Sequence, residues 1–222
     1  MKIEKNKIFT SPSDLNNFTL CKYHIKNDKI SETENKLLKR KPKGDLELVI
    51  KLGFQHEKKH LNLFKDKYKK VKIINDKLTE NQRYKDTALA LKEGFKVIHK
   101  AFLIEDTFRG EVDFLIRVET KSDLGAWSYE VWDTKIARKP QTRHVLQITA
   151  YSNMLGKLQG LSPQKMHLIG GDDKEHSTIR FEYPWWISTR RNTNTQRLGH
   201  TGTQSRSNVF QRTSSSPNTN AR

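Results

Sequence analysis

The stretch GEVDFLIRVETKSDLGAWSYEVWDTK, Gly110 to Lys135, decides how the rest of the chain is read. Gly110–Val118 and Tyr129–Ile136 are rich in β-branched and aromatic residues and are separated by turn-rich Lys121–Gly125, so they read as consecutive strands. In the first, alternation puts Val112, Phe114, Ile116 and Val118 on one face and Glu111, Asp113, Leu115 and Arg117 on the other. In the second, Tyr129, Val131, Asp133 and Lys135 share a face, with the Asp133 and Lys135 positions roughly 6–7 Å apart along the backbone. On neighbouring strands Asp113 and Asp133 could converge on one cation, and their hard oxygen donors suit magnesium or manganese. Asp-x-Lys on a strand is more often a solvated face, so the reading needs support from elsewhere in the chain.

Some support comes from upstream. From Leu46 to about Lys69 the apolar residues Leu46, Ile50, Phe54, Leu61, Phe64 and Tyr68 follow helical spacing. Glu57 interrupts that stripe, where a carboxylate is costly unless paired or bound to metal. His56 beside it could reach a metal at the edge of the stripe, or be a solvated or capping histidine. His60, His99 and His144 have no spacing that singles them out.

Downstream, His144–Gly156 reads as an amphipathic helix with Val145, Ile148, Leu155 and Leu158 on its apolar side. It carries Gln147 and Tyr151 as an i,i+4 pair, suited to hydrogen-bonding a phosphate or holding Lys135. Tyr151 closing the core with Gln147 on its rim is the plainer alternative. Arg138, Lys139, Arg143 and His144 form a basic run that could follow a phosphate backbone. Trp127 and Trp132 read as core or sheet-covering residues.

The remaining elements are a short N-terminal helix within residues 11–25 capped by Ser13, a polar loop or arm over 26–45, and a short strand at Val71–Ile74. A helix at Lys85–Glu93, a strand at Phe95–Ile104 and a final hairpin of Lys165–Ile169 with Ser177–Tyr183 complete the reading. The order is helix, three strands, helix, then more strand, which predicts an α/β domain on a small mixed sheet flanked by helices rather than a doubly wound fold.

The 222 residues carry a net charge of +17, which favours a polyanionic partner. Cys21 is the one cysteine, which excludes a disulfide framework and reads as a core residue of an intracellular protein. The basic start MKIEKNKIF is followed by no apolar run, so neither a signal peptide nor a membrane span is expected, and the location is read as cytoplasmic. All 25 acidic residues and all 29 lysines precede Trp186. The sequence beyond holds six arginines among Ser, Thr, Asn and Gln, leaving +11 for the body. Residues 185–222 therefore read as a disordered, basic, low-complexity tail. It is either a nucleic-acid-binding arm or an altered reading frame after about residue 184, and the loss of acids favours the second narrowly.

Taken in order, Gly53-Phe-Gln-His56-Glu57, Gly110-Glu-Val-Asp113, Asp133-Thr-Lys135 and Gln147-x-x-x-Tyr151 resemble the motifs of the PD-(D/E)xK nuclease superfamily in its RecB-like branch. Ser11-Pro-Ser-Asp14-Leu … Cys21 and Gly125-Ala-Trp-Ser-Tyr-Glu-Val-Trp-Asp-Thr-Lys135 are similar to motifs of a RecB-like nuclease group within it, and the likeness covers about residues 9–170. The resemblance implies a restriction-endonuclease-like core over residues 1–184. It implies a metal-dependent DNA nuclease, an exonuclease by family weight, serving repair, recombination or defence on single-stranded or duplex ends. By the same resemblance His56, Glu57, Asp113 and Asp133 would bind Mg2+ or Mn2+, Lys135 would be catalytic, and Gln147 and Tyr151 would shape the site and contact DNA. Some relatives carry a four-cysteine iron–sulfur cluster, which a single cysteine rules out within this chain. Relatives are usually longer, with a helicase or second nuclease region, so the alternative is a catalytically incomplete nucleic-acid-binding module or a fragment of a larger nuclease–helicase.

Overall fold

The computed structural model describes residues 1–4, 7–34, 41–172 and 177–180. Their elements run β1 (Lys2–Glu4), β2 (Lys7–Phe9), α1 (Pro12–Leu20), α2 (Tyr23–Glu34), α3 (Asp45–Lys67), β3 (Val71–Ile73) and α4 (Glu80–Lys92). Then follow β4 (Val97–Glu105), β5 (Phe108–Val118), β6 (Ser128–Thr134), α5 (Thr142–Gln159), β7 (Lys165–Ile169) and β8 (Ser177–Arg180). The expected extension of the last strand to Tyr183 and the tail at 185–222 lie outside the described residues.

β3 to β8 form one six-stranded sheet in chain order. β4, β5 and β6 pair antiparallel, whereas β3–β4 and β6–β7 are parallel. A parallel neighbour needs a crossover, and α4 and α5 supply the two. The result is a mixed sheet flanked by helices, as the sequence order predicts.

Each face of the sheet has its own core. Under α4 and α5 lie Leu91, Ile98, Leu103, Val112, Leu115, Tyr129, Val131, Ile148 and Leu155. Under α3 lie Leu61, Phe64, Val97, Phe114, Ile116 and Ile169, with Phe64 edge-on to Phe114 at 5.0 Å. Each fully buried side chain of this size contributes about 1.5–3 kcal/mol. The buried Gln159 amide accepts from Tyr129 N at 2.9 Å and donates to Tyr129 O at 3.2 Å, tying the end of α5 to β6. Trp127 packs against the first core, and Trp132 stacks on His167 with ring centroids 4.0 Å apart, so both are the packing residues expected.

Strict alternation along β5 fails at Asp113. Val112 and Leu115 enter the α4/α5 core, whereas Phe114 and Ile116 enter the α3 core. The cause is in the neighbouring strand, where Lys100 has φ 56°. The ladder passes from His99↔Phe114 to Ala101↔Val112 without Lys100 and Asp113, so both strands exchange faces at the same level. Leu115 is therefore a core residue and does not share a polar face with Asp113.

Other expectations are corrected. Residues 26–45 are not one loop: α2 extends to Glu34, a polar helix whose lack of an apolar stripe hid it, and α3 begins at Asp45. The cap of α1 is Ser11, not Ser13; Ser11 and Asp14 form a capping box. Cys21 is exposed, because it follows the last turn of α1 rather than facing the sheet. The stripe of α3 is covered only from Glu57 onward. Leu46, Ile50 and Phe54, the last 61% exposed, lie on its uncovered first half. α4 starts at Glu80, earlier than Lys85, because Thr79 caps it by accepting from Gln82 N at 3.3 Å. β1 and β2 form an antiparallel pair that the lysine-rich start concealed.

Candidate functional site

The end of β6 lies between α3 on one side and α5 on the other, and Asp113, Asp133 and Lys135 of the Gly110–Lys135 stretch gather there. Asp133 is 2% exposed and its carboxylate pairs with the Lys135 ammonium. Asp113 Oδ2 accepts from Thr134 N at 2.8 Å and from Thr134 Oγ1 at 2.7 Å. One residue, Thr134, thus locks the β5 carboxylate to the backbone between Asp133 and Lys135. Glu57, only 9% exposed on α3, meets His99 Nε2 at 2.7 Å and Lys100 Nζ at 3.2 Å through the same oxygen. Lys100 also donates to Glu111 Oε1 at 2.8 Å, and Arg83 pairs with the other Glu111 oxygen.

The charges act on one another across these elements. Burial pushes the Asp133 carboxyl up to about 7, with the Asp113 charge adding and Lys135 opposing. Asp113 is likewise raised, by burial first, against Lys135 and the two Thr134 hydrogen bonds, with Glu57 adding. Burial works against the Lys135 ammonium, but Asp133 and Asp113 outweigh it and hold it above its ordinary value. Glu57 is pushed up by burial, yet the His99 hydrogen bond and the Lys100 charge bring it below the usual carboxylate range. Lys100 is raised: burial disfavours its charge, and Glu111 and Glu57 more than compensate.

α5 closes the other side. The Tyr151 phenol is raised by burial and then by the Asp133 charge, so it keeps its proton and remains a donor. Gln147 hydrogen-bonds Tyr151 and accepts from Asn16 Nδ2 of α1 at 3.3 Å. Gly110 permits this approach, since a Cβ there would lie 3.0 Å from both Tyr151 Cε1 and Pro12 Cδ. His144 is lowered to about 4 by burial, then by Lys135 and Arg143, so it is neutral near pH 7.

A cleft of about 440 Å³ opens beside the Lys135 turn, lined by Leu52, Gln55, His56, Lys59, Ile136, Arg138 and Gly171. His56 and Arg138 therefore face this cleft, while Lys139 and Arg143 are exposed on the approach to α5. His56 Nε2 is buried with no hydrogen-bond partner among the described residues, and its ring packs edge-on to His60 at 4.6 Å. The cleft wall depends on Gly171, which donates to Ala137 O at 3.2 Å and whose added Cβ would lie 2.1 Å from Ile136 O. Backbone cannot yield there as a flexible side chain would. Gly171→Ala is expected to destabilise the fold by about 1–3 kcal/mol, measured by thermal unfolding.

The structure brings together Glu57, Asp113, Asp133, Lys135, Gln147 and Tyr151 and sets His56 on the cleft beside them. Among the described residues, no group of three or more His, Cys, Asp or Glu side chains is arranged to hold a metal ion. The donor chemistry still fits a hard divalent cation. Asp113 and Asp133 offer carboxylate oxygens, and the Asp113 charge adds to the upward push on Asp133, a repulsion that a cation would relieve.

Sequence reasoning missed His99, Lys100, Glu111, Arg83 and Thr134 as parts of this cluster. A signal existed in β4, where VIHKAFLI is an apolar run broken by two consecutive polar residues, a pair that alternation cannot send to one face. No described helix is long and apolar enough to cross a membrane. Compared with known proteins, the chain matches no protein-family model and no curated protein.

Proposed function

We propose that the chain is a Mg2+- or Mn2+-dependent nuclease acting on DNA ends, with a restriction-endonuclease-like core. The observation that carries the reading is the junction of Asp113, Asp133 and Lys135 through Thr134, with Glu57 in electrostatic range. Asp113, Asp133 and Glu57 would hold the cation, with His56 at its margin, and the cation would supply a Lewis acid for a phosphoryl oxygen and for water. Lys135 stays protonated because Asp133 and Asp113 raise it, so its part is to stabilise developing negative charge rather than to take a proton. The Tyr151 hydroxyl and Gln147 amide would orient a phosphate oxygen. Arg138 and Lys59 in the cleft, with Lys139 and Arg143 beyond it, would follow the strand backbone and make binding steeply salt-dependent.

The test is cleavage of end-labelled single-stranded and duplex DNA with Mn2+ by wild type, Lys135→Met and Asp113→Asn. Loss of cleavage in both variants, with DNA binding retained, is expected. Wild-type rates in either variant would remove the assignment.

A second reading is a nucleic-acid-binding module without turnover. It is favoured by one observation: Oε1 of Glu57 is engaged by both His99 and Lys100. Such a protein would bind DNA identically with Mn2+ or with a chelator, and wild type would cleave neither substrate.

A further inference from the structure

In a regular strand consecutive side chains point to opposite faces. His99 and Lys100 are consecutive, yet both reach Glu57 Oε1, at 2.7 and 3.2 Å. The left-handed backbone at Lys100 makes this convergence possible, and it is a conformation that side chains other than glycine rarely adopt. Residues held this way cluster at functional sites. Lys100 also lies at the level of Asp113, where both leave the ladder, so its ammonium is at the border of the acidic cluster.

We propose that Lys100 is the resident counter-ion of this cluster, pairing with Glu57 while no divalent cation is bound and yielding it when one binds. The proposal rests on the reading that Glu57, Asp113 and Asp133 form a cation site. An ammonium and a divalent cation both draw on the negative charge of one carboxylate, so they compete for it. Lys100 has somewhere to remain: Glu111 accepts from it at 2.8 Å and is itself held by Arg83, which is largely buried. Giving up Glu57 therefore does not strand a half-buried ammonium. His99 keeps its own contact with Glu57 and steadies the carboxylate during the exchange. Lys100 is thus a positioning residue that sets cation affinity.

The experiment is calorimetric titration with Mn2+ alone, at one pH, of wild type, Lys100→Gly, Lys100→Arg and Asp133→Asn. Glycine is at ease at φ 56°, so Lys100→Gly removes the ammonium without backbone strain. Lys100→Asn, whose residue also tolerates this region, is the second neutral variant should the first fail to fold. Removing a unit positive charge at contact distance is expected to tighten Mn2+ binding on the order of tenfold or more. Lys100→Arg should stay near wild type and Asp133→Asn should lose binding. Unchanged or weaker binding in the neutral variants, with wild-type binding that depends on Asp133, would overturn the counter-ion role and leave the cation site standing. Absence of Mn2+ binding in wild type and in the neutral variants alike would overturn the cation site, and this proposal with it.

Discussion

Asp133→Asn protein is expected to cleave DNA at least about a thousandfold more slowly than wild type at saturating Mn2+, while binding DNA with similar or higher affinity. The substitution preserves shape but removes the charge that two other groups depend on. The Lys135 ammonium is held by this carboxylate, and the pair Asp113–Asp133 gives the cluster its excess negative charge. With asparagine, cation affinity would fall and Lys135 would lose its nearest anchor, so both contributions proposed for phosphoryl activation would be lost together. DNA binding should survive because the cleft cations Lys59 and Arg138 are elsewhere, and removing an anionic group from the site weakens repulsion of the phosphate. A fluorescence-anisotropy titration alongside the cleavage assay separates the two effects. Cleavage within tenfold of wild type would show that the chemistry lies away from β6.

The second large effect is on stability and has a definite sign with pH. The folded-state value for Asp133 is about 7, against an ordinary value of 3.8. Between these limits the folded chain holds a proton that the unfolded chain has released. The contribution of this group to stability is therefore fully present below the unfolded value and is lost as pH rises through the folded one. At pH 8 without metal, wild type carries the whole penalty, at most about 4 kcal/mol for a shift of this size. Asparagine carries none of it, while the loss of the Lys135 partner returns a part. Asp133→Asn is expected to melt roughly 3–6 °C above wild type at pH 8, with the gap closing toward pH 5. Glu57, which is shifted the other way, loses its contribution in acid in both proteins and cancels in the comparison. A variant less stable than wild type at pH 8 would mean that Asp133 is kept as a stable anion by Lys135.

Which parts of this site the sequence disclosed follows from what alternation and spacing can express. Asp133 and Lys135 were legible because β6 alternates regularly, and Tyr129 and Val131 on the same face do enter the core beneath α5. Glu57 was legible as a charge within an apolar stripe, and α5 as an amphipathic helix. Lys100 was not, because its left-handed backbone is the choice of a non-glycine residue against its own preference, made by the surrounding sheet. Reading β5 by strict alternation therefore misplaced Leu115 even though the strand itself was found. The outer half of α3 failed for another reason. Leu46, Ile50 and Phe54 have the same periodicity whether or not anything covers them, so spacing alone cannot tell a packed stripe from an uncovered one.

The backbone that holds Lys135 has a bearing on how the protein is made. Lys135 N donates to Ile169 O at 2.9 Å, and β7 pairs in parallel with β6 only after α5 has crossed over. Glu57, Asp113 and Asp133 are all synthesised before that clamp exists. A nascent chain leaving the ribosome thus carries its acidic residues and much of its basic charge for some time without a working geometry. Parallel pairing across a helical crossover is among the slower steps of folding, since the intervening loop must close first. β7, made after all three, acts as the safety catch on the earlier strands.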